Sequence, residues 1–286
     1  MANLKELRSR ITSVSSTMKI TSAMKMVSAA KLSKAQDSIT QMRPYSEKLT
    51  ELLQSLSATL DDDTSSKYAE QREVKNVLIV AISSNRGLAG AFNNNIVKGV
   101  RQIAAEKYSD KNVSLYTIGK KASDVLKKGF TISEANNAIY DNLDYEHVAV
   151  IAEELMELFL KGTYDEIVFV YNQFKNAATQ IITKEQFLPI EKFVTDKNVT
   201  LDYIFEPTKV EIVRDLIPKS LKMQLFKAMS DSLASEHGAR MTAMHKATDN
   251  ATELRDSLKL SYNKARQASI TNEILEIVGG AEALNN

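Results

Sequence analysis

The sequence predicts an α/β fold in two parts: a long antiparallel coiled coil formed by the N- and C-terminal segments, and a globular α/β domain between them with a largely parallel sheet. Three observations predict it. Helix breakers are nearly absent from both ends: Gly87 is the first glycine, only Pro44 precedes it among prolines, and Lys219–Val278 contains no proline and one glycine, Gly238. Apolar residues at both ends recur at spacings of three and four, the pattern of helices that pair along a seam. Between the ends, short β-rich runs alternate with helical ones, the order that builds a parallel sheet covered by helices. The expected division is 1–60, 74–208 and 209–286.

The first helix is expected from Leu4 to Arg43, with Leu4, Leu7, Ile11, Val14 and Met18 on one stripe. The stripe then shifts phase to Ile20, Met24 and Val27, as a stutter produces. Pro44 is expected to kink the helix or mark a short break, after which Leu49, Leu52, Leu53, Leu56 and Leu60 resume the pattern. Asp61, Asp62 and Asp63 with Thr64, Ser65 and Ser66 read as a polar linker.

Strands are expected at Val77–Ser83, Val113–Ile118, Phe130–Ser133, Glu166–Tyr171, Thr179–Thr183 and Leu201–Phe205, with helices around Ile96–Tyr108, Ala122–Lys128 and His147–Leu160. This is a Rossmann-like alternation whose last strands, lacking helices between them, form an antiparallel edge. The final helix carries Leu221, Leu225, Met229 and Leu233, then Ala247, Ala251, Leu254, Leu258, Tyr262 and Ala265. At 1.5 Å per residue, some 60 residues of helix span about 90 Å. Such a stripe cannot hide in one small domain, so the two terminal helices need each other.

Composition narrows the function. The formal net charge is +1, so nothing overall demands nucleic acid or an anionic membrane. Residues 1–48 nevertheless hold nine Lys and Arg against three acids, a basic helix suited to a solvated face or an acidic partner. Cysteine is absent, which excludes disulfides, thiolate nucleophiles and Cys-based metal sites. The charged start MANLKELRSR lacks the apolar core of a signal peptide, and no stretch approaches the roughly 20 apolar residues of a membrane helix.

Motifs for chemistry are missing. Ser83–Asn93 follows a strand and opens a helix, but matches no phosphate-loop pattern, and the Gly119-Lys120 pair lacks both the following Ser/Thr and the upstream glycine. His147, His237 and His245 are too dispersed for a metal site and read as surface or interface residues. No serine sits in a nucleophile elbow. No catalytic residue, cofactor or metal is expected.

The two ends resemble one family. Ile270-Thr271-Asn272-Glu273 running to Gly279-Gly280-Ala281 resembles the C-terminal signature of ATP synthase gamma subunits, and Tyr262-Asn263-Lys264-Ala265-Arg266-Gln267-Ala268-Ser269 is similar to the stretch before it. Further matches are Ser235–Met244 and Ala247–Ala251, then Arg8–Ile11, Lys19–Thr21 and Ala23–Val27 near the start, and Arg86-Gly87-Leu88 with Gly90 and Asn93 in the middle. The likeness covers essentially the whole chain and is of bacterial type. Gly238 departs from it, standing where many relatives keep a better helix former; this is expected to soften the shaft locally by ~1 kcal/mol. Ala89 and Ala91 also depart, and the absence of Cys rules out a thiol-regulated insert.

The resemblance implies a non-catalytic rotor shaft that couples proton or sodium flow to ATP synthesis or hydrolysis at neighbouring beta subunits. Its implied partners are the alpha and beta subunits, the epsilon subunit and the c-subunit ring; membrane association is indirect, at the cytoplasmic face of the bacterial plasma membrane. By the same resemblance Arg240, Arg266, Gln267 and Thr271 contact a beta-subunit loop, Met24 and Lys25 lie beside the beta lever region, and Tyr203, Phe205 and Glu206 lie at the foot near the c ring and epsilon. An exposed helix rich in Met, Ala and Ser suits a bearing. The competing readings are a nucleotide-binding α/β enzyme with a coiled-coil dimerisation arm, and a coiled-coil scaffold that holds nucleic acid against its basic helix.

Overall fold

The computed structural model describes residues 4–57, 67–141, 143–190 and 209–284. Two compact units emerge, one of Ala29–Arg240 and one of Met1–Ser28 with Met241–Asn286. The expected linker at Asp61–Asp63 and the expected strand Leu201–Phe205 lie outside the described residues.

In the larger unit, β1 (Asn76–Ile82), β2 (Asn112–Ile118), β3 (Thr131–Asn136), β4 (Glu166–Phe174) and β5 (Gln180–Leu188) form one sheet of order β3-β2-β1-β4-β5. The first four strands are parallel, and β5 is an antiparallel edge on β4. The helices are α1 (Leu4–Ser57), α2 (Phe92–Glu106), α3 (Lys120–Leu126), α4 (Tyr145–Leu160) and α5 (Lys209–Leu284). The run from Val77 to Ile82 is wholly buried because helices cover both faces of the sheet, which replaces alternation by a continuous apolar strand.

One face packs Val77, Ile79 and Ala81 against Ile96, Val100 and Ile103 of α2 and Leu126 of α3. The other packs Leu78, Val80, Ile82 and Phe169 against Ile151, Leu155 and Phe159 of α4, with Met42 and Leu49 of α1 and Leu221, Leu225 and Met229 of α5. Gly99 lets α2 settle this closely, since a Cβ there would stand 2.9 Å from Ile182 and 3.1 Å from Val170. Asp144 caps α4 by accepting from the His147 amide at 2.9 Å, as an N-cap carboxylate does.

Two prolines lie inside helices. α1 runs through Pro44 without a break, and α5, starting at Lys209, runs through Pro218. A helical proline loses one backbone bond and costs ~3 kcal/mol; here Met42 and Leu49 around the first, and Ile217 and Leu221 around the second, are anchored in one core.

In the smaller unit the first part of α1 and the last part of α5 run antiparallel. Thr21 and Thr248 share a hydroxyl–hydroxyl bond of 2.8 Å, while Thr252 and Arg255 approach the Met18 sulfur at 3.4 Å. The expected stutter is absent. Buried positions of α1 continue as a strict heptad through Leu7, Thr21, Ser28, Leu32, Ala35, Met42 and Leu49, so hydroxyls occupy seam places that an apolar count skips. Ile20 and Val27 consequently face solvent, with Met26. On α5 the inward residues are Met244, Thr248, Ala251, Arg255, Leu258, Tyr262 and Ala265, and Leu254 points outward. No helix among the described residues is long and apolar enough to cross a membrane.

Candidate functional site

A doubly wound sheet offers its ligand crevice at the carboxyl ends of the strands, where successive crossovers leave on opposite faces. Here that point lies between β1 and β4, because α2 follows β1 on one face and α4 precedes β4 on the other. The turn after β1 is tied by its own side chains to α2 and to the start of α3 after β2. Asn93 Oδ1 accepts from the Ser84 amide at 3.0 Å, Asn85 Oδ1 from the Lys120 amide at 3.0 Å, and Ser83 Oγ from the Ala122 amide at 3.0 Å. A phosphate cradle needs such backbone donors free. These three are occupied, so the reading as a nucleotide-binding enzyme gains nothing here.

The turn is also strained and pinned. Leu88 holds φ +60 and is 63% exposed, a conformation that persists only when the surroundings over-determine it. Ser84 Oγ donates to the Arg86 carbonyl at 2.7 Å, and Asn93 Nδ2 to the same oxygen at 3.4 Å. Arg240 of α5 adds Nε to the Gly87 carbonyl at 3.3 Å and Nη2 to that of Arg86 at 3.5 Å.

Arg240 is only 7% exposed and pairs with the equally buried Glu236 at 2.7 Å. Its Nη1 lies 3.3 Å from His237 Nδ1. Burial, then the charges of Arg240 and Lys31, lower the His237 imidazole to about 4, which leaves it neutral near pH 7. Burial pushes the Glu236 carboxyl up, against the opposing pull of Arg240, Lys31 and Arg86. His237, expected at a surface or interface, is therefore a buried acceptor. Gly238 is likewise structural: a Cβ there would stand 3.1 Å from Ala177 Cα and 3.3 Å from its carbonyl oxygen. Gly238→Ala should gain ~1 kcal/mol in helix propensity but lose about 1–3 kcal/mol by overpacking. A lower urea midpoint is the expected net result, and a raised one would show that the 175–179 turn yields freely.

The other candidate surface is the end of α5. From Ile270 onward every residue whose side chain is described is exposed, including Ile274, Leu275, Ile277 at 72% and Val278. Arg266 and Gln267 are exposed on the same stretch and have no side-chain partner among the described residues; Thr271 Oγ1 bonds only the Gln267 carbonyl, at 2.9 Å. Met24 and Lys25 are half-buried on α1. Tyr203, Phe205 and Glu206 lie outside the described residues. The exposed Ile20, Met26 and Val27 were legible only by carrying the heptad of Leu7 and Met18 on to Leu32.

An α/β body whose β1 turn keeps its backbone donors occupied, in a chain whose last helix ends bare and apolar, fits a shaft or adaptor within a larger assembly. Comparison with known proteins agrees. A family model described as ATP synthase matches residues 3–284. The chain is 77% identical over 285 residues to the ATP synthase gamma chain of Christiangramia forsetii, and 66% identical over 286 residues to that of Flavobacterium johnsoniae, with full coverage of both partners in each case. It is similar to a chain in the cryo-EM structure of the central stalk and c-ring of the Tetrahymena thermophila mitochondrial ATP synthase, at 27% identity and TM-score 0.60, covering 80% of this chain and 99% of that one. A rotor chain of the Euglena gracilis mitochondrial ATP synthase shares the fold, at 23% identity and TM-score 0.69, covering 93% and 98%. The chain belongs to the ATP synthase gamma-chain family. That family supplies the central rotor shaft, a non-catalytic, peripheral part of a membrane-bound complex.

Proposed function

We propose that this chain turns inside a ring of alternating alpha and beta subunits and couples proton or sodium flow to ATP synthesis and hydrolysis at the beta subunits. The observation that carries this reading is the exposed apolar end of α5 with Arg266, Gln267 and Thr271 beside it. Contiguous exposed apolar surface of this kind calls for a partner. The paired helices, drawn from 1–60 and 209–286, form the shaft. The body within 74–208 stands with the epsilon subunit on the c-subunit ring, through Tyr203, Phe205 and Glu206, and so meets the cytoplasmic face of a bacterial plasma membrane only indirectly.

A shaft without threefold symmetry meets three beta subunits through different contacts. Each contact set favours a different beta conformation, and rotation shifts these populations in turn. Arg266, Gln267 and Thr271 supply polar contacts to a beta loop, and Met24 and Lys25 sit beside the beta lever region. Arg240, assigned by the resemblance to the same beta loop, also holds the turn at Arg86–Leu88 from within the body.

The test uses the assembled complex. Changing Arg266 and Gln267 together to Ala should slow ATP turnover severalfold or more, since each charge-assisted bond contributes ~1.5–3 kcal/mol, while helix content and assembly stay intact. The isolated chain should not hydrolyse ATP, and the chain drawn from its native complex should copurify with larger nucleotide-binding subunits. Unchanged synthesis and hydrolysis in the double variant would remove these residues from the coupling contact; turnover by the monodisperse chain alone would overturn the shaft reading itself.

A further inference from the structure

α5 is one uninterrupted helix of 76 residues, and a helix lying on a sheet through apolar contacts alone can roll, because such contacts are non-directional. Between Ser230 and Arg240 the packing changes character. Ser230, Asp231, Ser232, Ser235, Glu236, His237 and Arg240 are all buried, although apolar residues are the usual occupants of a buried helix. Within this stretch three fixed points engage different elements. Arg240 reaches the Arg86 and Gly87 carbonyls of the β1–α2 turn. Gly238 lies against Ala177 and Phe174 at the β4–β5 hairpin. Glu236 holds Arg240 at 2.7 Å and feels the positive charges of Lys31 on α1 and of Arg86.

The guanidinium is what makes the arrangement directional. Its planar fork presents several donors in a fixed geometry, so one side chain bonds the Glu236 carboxylate, the His237 ring nitrogen and two turn carbonyls together. A neutral His237, kept so by burial and the neighbouring cations, accepts from Arg240 instead of repelling it. Turning α5 about its axis would break these bonds and drive the backbone at Gly238 against Ala177.

We infer that Arg240, set by Glu236 and backed by Gly238, is a torsional clamp that fixes the rotational setting of the Lys209–Arg240 part of α5 within the α/β body, so that torque passes between that helical segment and the sheet at the Arg86–Leu88 turn. Arg240 is thus a positioning residue, acting through the turn and not through a contact with nucleotide. The inference rests on the rotor reading above.

The experiment is single-molecule rotation of the assembled catalytic head, with the head fixed and a bead attached at Lys111→Cys, a unique thiol in a chain that has no native cysteine. The readout is the angular variance of the bead within each nucleotide dwell, compared among the otherwise native chain, Arg240→Ala and Arg240→Lys. Lys keeps the charge beside Glu236 but cannot fork to the turn. Both variants should rotate with variance raised about twofold or more, whatever their turnover rate. Unchanged variance in both overturns the clamp and leaves the rotor reading standing. Widening in Arg240→Ala with full rescue in Arg240→Lys also overturns it, since charge compensation alone would then suffice. If the native chain does not rotate, the clamp and the rotor reading fall together. If Arg240→Ala does not assemble, Arg240→Lys decides.

Discussion

Gly119→Ala is expected to lower the stability of the chain by about 4 kcal/mol, combining backbone strain of about 1–3 kcal/mol with overpacking of about 1–3 kcal/mol. Gly119 follows β2 at φ +97, and a Cβ there would lie 2.3 Å from the Ser83 carbonyl oxygen and 2.7 Å from its carbon. That neighbour cannot retreat. The Ser83 amide donates to the Ile118 carbonyl at 2.8 Å, and its hydroxyl accepts from the Ala122 amide while lying 3.2 Å from the Gly119 carbonyl. The residue is fully buried between the two central strands. Gly129→Ala is the control, because nothing lies within 4 Å of a Cβ built there. The check is the urea midpoint of the full chain at unchanged slope. A midpoint shift no larger than that of Gly129→Ala would show that the β1 and β2 ends part without penalty.

Arg240→Ala should cost about 3–5 kcal/mol at pH 8, the loss expected when one partner of a buried pair is removed and the other keeps its charge. The loss should shrink on acidification. Burial already holds the Glu236 carboxyl above its ordinary value, and Arg240 is the largest influence pulling it down. Without Arg240 the carboxyl rises further. A folded-state pKa above the unfolded one means that stability is lost as pH rises through the folded value and regained below it. The other groups facing Glu236 do not reverse this: Lys31 and Arg86 only add to the pull that lowers it, His237 stays neutral down to about 4, and Tyr140 stays protonated because burial and Glu236 itself push its phenol up. Urea midpoints at pH 5 and pH 8 should therefore differ more for wild type against Arg240→Ala at the higher pH. The double variant Arg240→Ala with Glu236→Gln should recover most of the loss at pH 8. A pH-independent deficit would mean that packing, and not the stranded carboxylate, accounts for the effect.

Most of the architecture was legible in the chain itself. Local chemistry announces the strands: Val77–Ile82 is too apolar for a one-sided strand, and Glu166–Tyr171 repeats that signal. Both terminal helices follow from the scarcity of glycine and proline, and the antiparallel edge from the missing helix between the last strands. Gamma-family membership was legible in the Tyr262–Ala283 stretch, because its polar residues stand on a helix surface where packing does not dictate them. Sequence by itself thus determined the class of fold, the existence of a long helical pair and the family.

Other features depend on neighbours far away along the chain, and only the tertiary structure decided them. Thr21 and Ser28 enter the seam because Thr248 and the Met18 carbonyl satisfy the first hydroxyl and the Met24 carbonyl the second, which no apolar periodicity can register. Pro44 and Pro218 stay within helices because a shared core restrains them. Gly238 reads as a weak point in isolation and becomes a point of close approach only when Ala177 is brought against it. Arg240 is read from its motif only as a polar contact with a partner, and its bond to the Gly87 carbonyl, beside its pair with Glu236 on its own helix, comes from a distant segment. The physical reason is common to all four. A residue's intrinsic preference is worth ~1 kcal/mol or less, whereas the desolvation, hydrogen bonds and packing imposed by a distant segment are worth several, so the distant segment decides.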